Sequence, residues 1–64
     1  MTAENYVIKC YCNNEIFSTE FAKSKELAEK KSKRNRQLFI NDKNVTIFQY
    51  KYDVYNNLVE TKEF

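Results

Sequence analysis

"NVTIFQYKYDV" (residues 44–54) is the stretch on which the fold turns. Val45, Ile47, Phe48, Tyr50, Tyr52 and Val54 are β-branched or aromatic, the side chains that suit a pleated surface, so the segment predicts a strand. Both of its faces begin apolar. Phe48, Tyr50 and Tyr52, continued by Val54, share one face, and Val45, Ile47, Gln49 and Lys51 share the other. Two assignments are open. If Val45 and Ile47 pack inward, the ring row lies on an open face beside Tyr11; if the rings pack inward, nothing unusual faces out.

Working outward, "NYVIKCYCNN" (residues 5–14) places Tyr6, Ile8, Cys10 and Cys12 on one face and Val7, Lys9 and Tyr11 on the other, a second strand. Asn13 and Asn14 follow it. The chain has no glycine, and Asn is the residue that best replaces glycine at positive φ, so "CNNEIF" predicts a tight hairpin into a strand "EIFSTEFA". There Phe17, Thr19 and Phe21 alternate against Ile16, Ser18 and Glu20. Ser24 fits the N-cap of a helix running from about Lys25 to Phe39, with Glu26 and Glu29 early and basic residues late, as the macrodipole favours. "NDKN" stops that helix, with Asn41 or Asn44 in a left-handed role. Beyond the central strand, "YNN" repeats the first hairpin's turn residues and "LVETKEF" returns as a last strand.

The expected fold is a single α+β domain over residues 1–64, two-layered in the order β-β-α-β-β. A four-stranded, mainly antiparallel sheet carries one helix on one face. The other face is left to water or to a partner. Sixty-four residues are near the lower limit for burying a sufficient core without a disulfide, metal or partner, so either a monomer or a homodimer through the open face or an edge strand is expected. No apolar run approaches the roughly 20 residues that cross a bilayer, and no N-terminal segment reads as a secretion signal. A cytoplasmic protein with no membrane association is expected.

Along the helix, Leu27, Ala28, Ser32, Leu38 and Phe39 fall in the inward sector, and Lys30, Lys33, Arg34 and Arg36 spread outward. Lys31 and Asn35 land in the sector that should be apolar. Lys31 can snorkel, whereas a buried Asn35 needs a hydrogen-bond partner. Residues 23–36 hold seven basic and two acidic side chains, a local net of +5 in a chain whose total is +2. Such clustering suits phosphates or an acidic partner, and it also suits a merely solvated helix face.

The segment "SKELAEKKSKRNRQLF" (residues 24–39), preceded by two strands, resembles the last strands and C-terminal helix of a double-stranded-RNA-binding domain. There a Ser-Lys-Lys-x-Ala-Lys pattern opens the helix, and the resemblance implies phosphate contact by its lysines. Ser24, Lys25 and Ala28 match that pattern; Glu26 and Glu29 stand where the family has Lys, the family's glycines and first helix are missing here, and the C-terminal hairpin of this chain has no counterpart in the family. The strand-strand-helix order is also similar to phage integrase arm-binding domains. About half the chain is covered, and no family is assigned.

The chemistry is sparse. There is no His, no glycine-rich phosphate loop and no paired carboxylates in an apolar setting; Glu60 and Glu63 sit on a predicted exposed strand. Cys10 and Cys12 share a face of one strand, too close in sequence for an unstrained disulfide and too few for a zinc site, so reduced thiols are expected. No enzyme, cofactor or metal site is expected. Abundant Asn, Lys, Ile, Phe and Tyr with no Gly or Pro suggest an AT-rich genome such as that of a phage, a mobile element or a low-GC bacterium. The leading expectation is therefore a non-catalytic binding protein that acts stoichiometrically on a host protein, in an inhibitory, anti-defence or regulatory role, through Tyr11, Phe48, Tyr50 and Tyr52. The alternative is a module for DNA or RNA, with Lys30, Lys33, Arg34 and Arg36 on phosphates and the rings stacking on bases.

Overall fold

The computed structural model describes residues 5–64. Strands β1 (Asn5–Cys12) and β2 (Glu15–Ala22) precede helix α1 (Lys25–Leu38), and β3 (Val45–Tyr52) and β4 (Leu58–Glu63) follow it. The sheet is antiparallel throughout in the order β2-β1-β3-β4. This is the two-layer α+β arrangement expected from the sequence, with the helix on one face. Pairing β1 with β3 places the first and central strands side by side, Val7 opposite Tyr50 and Ile8 opposite Gln49.

The asparagine turn forms as anticipated. Asn13 and Asn14 take φ of 52° and 69°, left-handed values that a β-branched residue would adopt only with strain. The second connection differs. β3 ends at Tyr52, Val54 is exposed in the turn rather than continuing the ring row, and only Asn56 in "YNN" takes positive φ, at 66°. Asp53 organises this longer loop: its carboxylate accepts the N–H groups of Tyr55 and Asn57 at 2.9 Å each. An acceptor at the loop's start thus does work that a two-residue turn leaves to backbone geometry alone.

The helix begins where expected, with Ser24 Oγ accepting the Leu27 N–H at 3.2 Å. Its end departs from the expectation. Neither Asn41 nor Asn44 is left-handed; Phe39 is the C-cap, at φ −114°, and Asp42 accepts the Asn44 N–H in the loop beyond. The Arg36 guanidinium satisfies the Phe39 carbonyl at 2.6 Å, so a side chain replaces the backbone twist that Asn or Gly would supply.

The core lies between α1 and the face of the sheet carrying Tyr6, Ile8, Cys10, Val45 and Ile47, closed by Ala22 and Ala28. The helix side of this seam is Ala28, Ser32 and Asn35, the three buried residues of α1. Leu27 and Leu38, expected as anchors, are 42% and 69% exposed. At about 100° per residue they sit roughly 80–100° away from the Ala28–Ser32–Asn35 line, on the shoulder towards β2. Small side chains on that line let the helix lie close to the sheet, and close approach leaves the flanking leucines outside. The buried polar groups are paired: Ser32 Oγ donates to Gln49 Oε1 at 3.0 Å, and Asn35 Nδ2 donates to Glu20 and to the Lys31 carbonyl. Lys31 snorkels to the Phe21 carbonyl at 2.8 Å.

β2 also breaks its expected alternation. Cys10 pairs with Ser18 but Tyr11 pairs with Ile16, so Phe17 is the extra residue of a bulge. It therefore leaves the face of Thr19 and Phe21 and packs edge-on against Phe39, ring centroids 5.3 Å apart.

Candidate functional site

With Val45 and Ile47 buried, the face of the sheet away from the helix carries the rings of the central strand. Strand alternation puts Val7, Lys9 and Tyr11 of β1, Thr19 and Phe21 of β2, and Phe48, Tyr50 and Tyr52 of β3 on that face. Of the two readings open to the sequence, the structure takes the one with the rings outward. Tyr11 and Phe48 meet edge to face at 5.8 Å and 83°, and Phe48 stacks with Tyr50 at 6.1 Å and 25°. Two phenols join the ends of this row, Tyr11 Oη and Tyr50 Oη lying 3.0 Å apart. Lys9 Nζ lies 5.3 Å from the centre of the Tyr50 ring, close enough for a cation–π contact.

Beside the ring row lies a groove of about 470 Å³, floored by Val7 and bounded by Lys9, Thr19, Phe21, Tyr52 and Asn56. Phe21 is 68% exposed there. Val7, Lys9 and Phe21 join the four rings named from the sequence. Their alternation was legible strand by strand, but only the pairing of β1 with both neighbours brings them onto one surface.

Burial and neighbouring phenols act on Tyr50. Desolvation first, then the hydrogen bond with Tyr11 and the proximity of the Tyr11 and Tyr52 phenols, push its pKa from 10.0 up to about 12. A folded value above the unfolded one means that the neutral phenol's contribution to stability is intact below about pH 10. It is lost as pH rises from about 10 to 12. Wild type should lose more stability over that interval than Tyr50→Phe, which has no such proton to release, in urea titrations run at stepped pH. An equal loss in both proteins would show that Tyr50 is not the group responsible.

The four basic residues named on the helix do not form one surface. Lys30 and Lys33 are exposed and share a shallow depression with Lys25, Glu26 and Glu29. Arg34 is held by Glu20, Nη2 to Oε1 at 2.7 Å. Arg36 turns inward, half-buried, and donates to the Val45 and Phe39 carbonyls at 3.1 and 2.6 Å. Two of the four are therefore engaged in the fold. The helix and the ring row, moreover, lie on opposite faces of the sheet, so a single strand of nucleic acid would have to wrap round an edge to touch both.

Cys10 and Cys12 are free thiols, buried and half-buried. Burial, reinforced by the charge of Glu20, pushes the Cys10 thiol up from its ordinary value, which keeps it protonated and unreactive. No helix among the described residues is long and apolar enough to cross a membrane. Comparison with protein-family models, with curated proteins and with solved structures finds no match, so the likeness of residues 24–39 to double-stranded-RNA-binding domains remains that of one segment.

Proposed function

We propose that this chain is a small non-catalytic binding domain that engages another protein through the open face of its sheet. The observation that carries the reading is the ring cluster of Tyr11, Phe48 and Tyr50, with Tyr52 next on the same strand face, on the side of the sheet that no element among the described residues covers. Half-buried Tyr and Phe side chains, fixed by one another, present large contact area with little rotamer entropy left to lose, which is the chemistry of interface anchors. Charge favours a protein over a nucleic acid here. Lys9 is the one Lys or Arg that the strand register places on this face among the described residues, whereas a strand-tracking groove needs several. The AT-rich composition supports a phage or mobile-element source, and with it a host protein bound stoichiometrically.

The test is affinity capture from a bacterial host lysate, comparing wild type with Tyr50→Ala, Tyr52→Ala and Lys30→Glu/Lys33→Glu. A partner recovered at a fixed ratio should be lost with either tyrosine variant, at least tenfold in affinity, and retained with the double charge reversal. Retention after both tyrosine changes would sink the reading. So would micromolar, salt-dependent binding to single-stranded RNA or DNA that either tyrosine change abolishes, because the face would then serve base stacking.

A further inference from the structure

β4 is the strand that the fold covers least. All six of its residues are exposed, and among the described residues it pairs with β3 alone. The helix backbone lies over β1, β2 and β3, and reaches β4 through the ion pair of Glu29 with Lys62 at 3.5 Å. The Phe64 N–H donates to the Ile47 carbonyl at 2.9 Å, which fixes the phase of the ladder. Backbone groups alternate in direction, so those of Lys62 and Glu60 also face β3, and those of Thr61 and Glu63 point away from the sheet. The outer edge of β4 therefore presents a row of N–H and C=O groups to solvent.

We infer that β4 pairs antiparallel with β4 of a second copy of this chain, centred on Thr61, so that two sheets join into one of eight strands. The register follows from the alternatives. Two identical strands related by a two-fold axis can centre on any residue of β4; Leu58 or Val59 as centre opposes at most three residues of the strand, where Thr61 opposes five, which leaves Glu60, Thr61, Lys62 and Glu63 to compare. Centring on Glu60, Lys62 or Glu63 sets that residue against its own copy, like charge facing like charge. Centring on Thr61 sets Glu60 against Lys62 twice and Thr61 against Thr61, with no like charges opposed. It also makes Thr61 an outward, hydrogen-bonded pair, and Glu60–Lys62 the closer-spaced kind in which side chains interact best.

Charges on an edge strand often serve to prevent pairing, and the other edge shows that use. β2 carries Glu15 and Glu20 with no basic residue, and it is interrupted by the bulge at Phe17. β4 has both signs at the spacing that self-pairing needs. The axis runs normal to the sheet, so both helices lie on one side and both ring rows on the other. The two β3 strands would be three strand spacings, about 14 Å, apart.

Sedimentation equilibrium of the full chain, from micromolar to millimolar, tests the inference. Wild type should dimerise. Glu60→Lys and Lys62→Glu should each weaken self-association at least tenfold, while an equimolar mixture of the two associates at least as well as wild type, because an all-lysine edge then meets an all-glutamate edge. The double exchange E60K/K62E should restore self-pairing. Thr61→Pro, which removes an outward N–H that the fold does not use, should abolish the dimer with the melting transition retained. Tyr52→Ala, on the open face, should leave it intact, which separates this interface from the proposed partner site. A wild type that stays monomeric at millimolar concentration overturns the inference, as does a dimer indifferent to Thr61→Pro or to the charge exchanges.

Discussion

Ile47→Ala is expected to remove much or all of the folding stability of the chain. Ile47 is 0% exposed and lies in the cluster with Ile8, Cys10, Val45 and Ala28, directly beneath the helix. Truncating a fully buried isoleucine costs about 2–5 kcal/mol, the lost transfer energy plus the cavity it leaves. A domain of this length has a total stability of roughly 3–10 kcal/mol, so one such change removes much or all of it. Thermal and urea melts followed by circular dichroism provide the measurement. Phe48→Ala, the adjacent position on the opposite face, removes a larger side chain from a half-buried site and should cost less. The reverse order of the two would mean that the rings, not Ile47, form the core.

Arg36→Met should destabilise the protein by about 2–3 kcal/mol, whereas Lys33→Met on the same helix should change stability by less than about 0.5 kcal/mol. The contrast comes from what each cation touches. Arg36 donates to two carbonyls, that of Val45 at the start of β3 and that of Phe39 at the end of α1, and so ties the loop 40–44 closed. Its charge also lies at the helix C-terminus, where the macrodipole favours it. Methionine keeps the stem but takes the guanidinium from both carbonyls, leaving Phe39 only the Asp42 N–H at 3.0 Å. Arg36→Lys should fall between, since an ammonium keeps the charge and loses the fork that reaches two acceptors at once. Equal effects at Arg36 and Lys33 in urea titrations would place Arg36 with the solvent-facing residues after all.

These two residues show how far the sequence could be read. Period-two alternation in 5–12 and 45–52, Asn13-Asn14 in a chain without glycine, and Ser24 before a run of helix formers carry local information, and each of these elements forms where that information puts it. Such signals depend on the φ, ψ and hydrogen-bond preferences of a few neighbouring residues. The seam of the helix was a different matter. The helical period put Ala28, Ser32 and Asn35 in the inward sector together with Leu27 and Leu38, yet only the first three are buried, because close packing favours small side chains and Gln49 and Glu20 wait opposite with acceptors. Partners far away in sequence decided that, and a helix taken alone does not contain them.

The ring face follows the same division. The sequence by itself determined that Phe48, Tyr50 and Tyr52 share one side of a strand, and that four strands and one helix must leave one sheet face open. Only the tertiary structure decided which side was open and what joined it. The order β2-β1-β3-β4 sets β1 between its neighbours, bringing Val7, Lys9, Tyr11 and Phe21 to the rings, and it leaves β4 as an edge that the helix backbone does not cover. The physical reason is range: side-chain alternation is fixed within a strand by the pleat, whereas facing and order depend on which apolar surface the single helix covers.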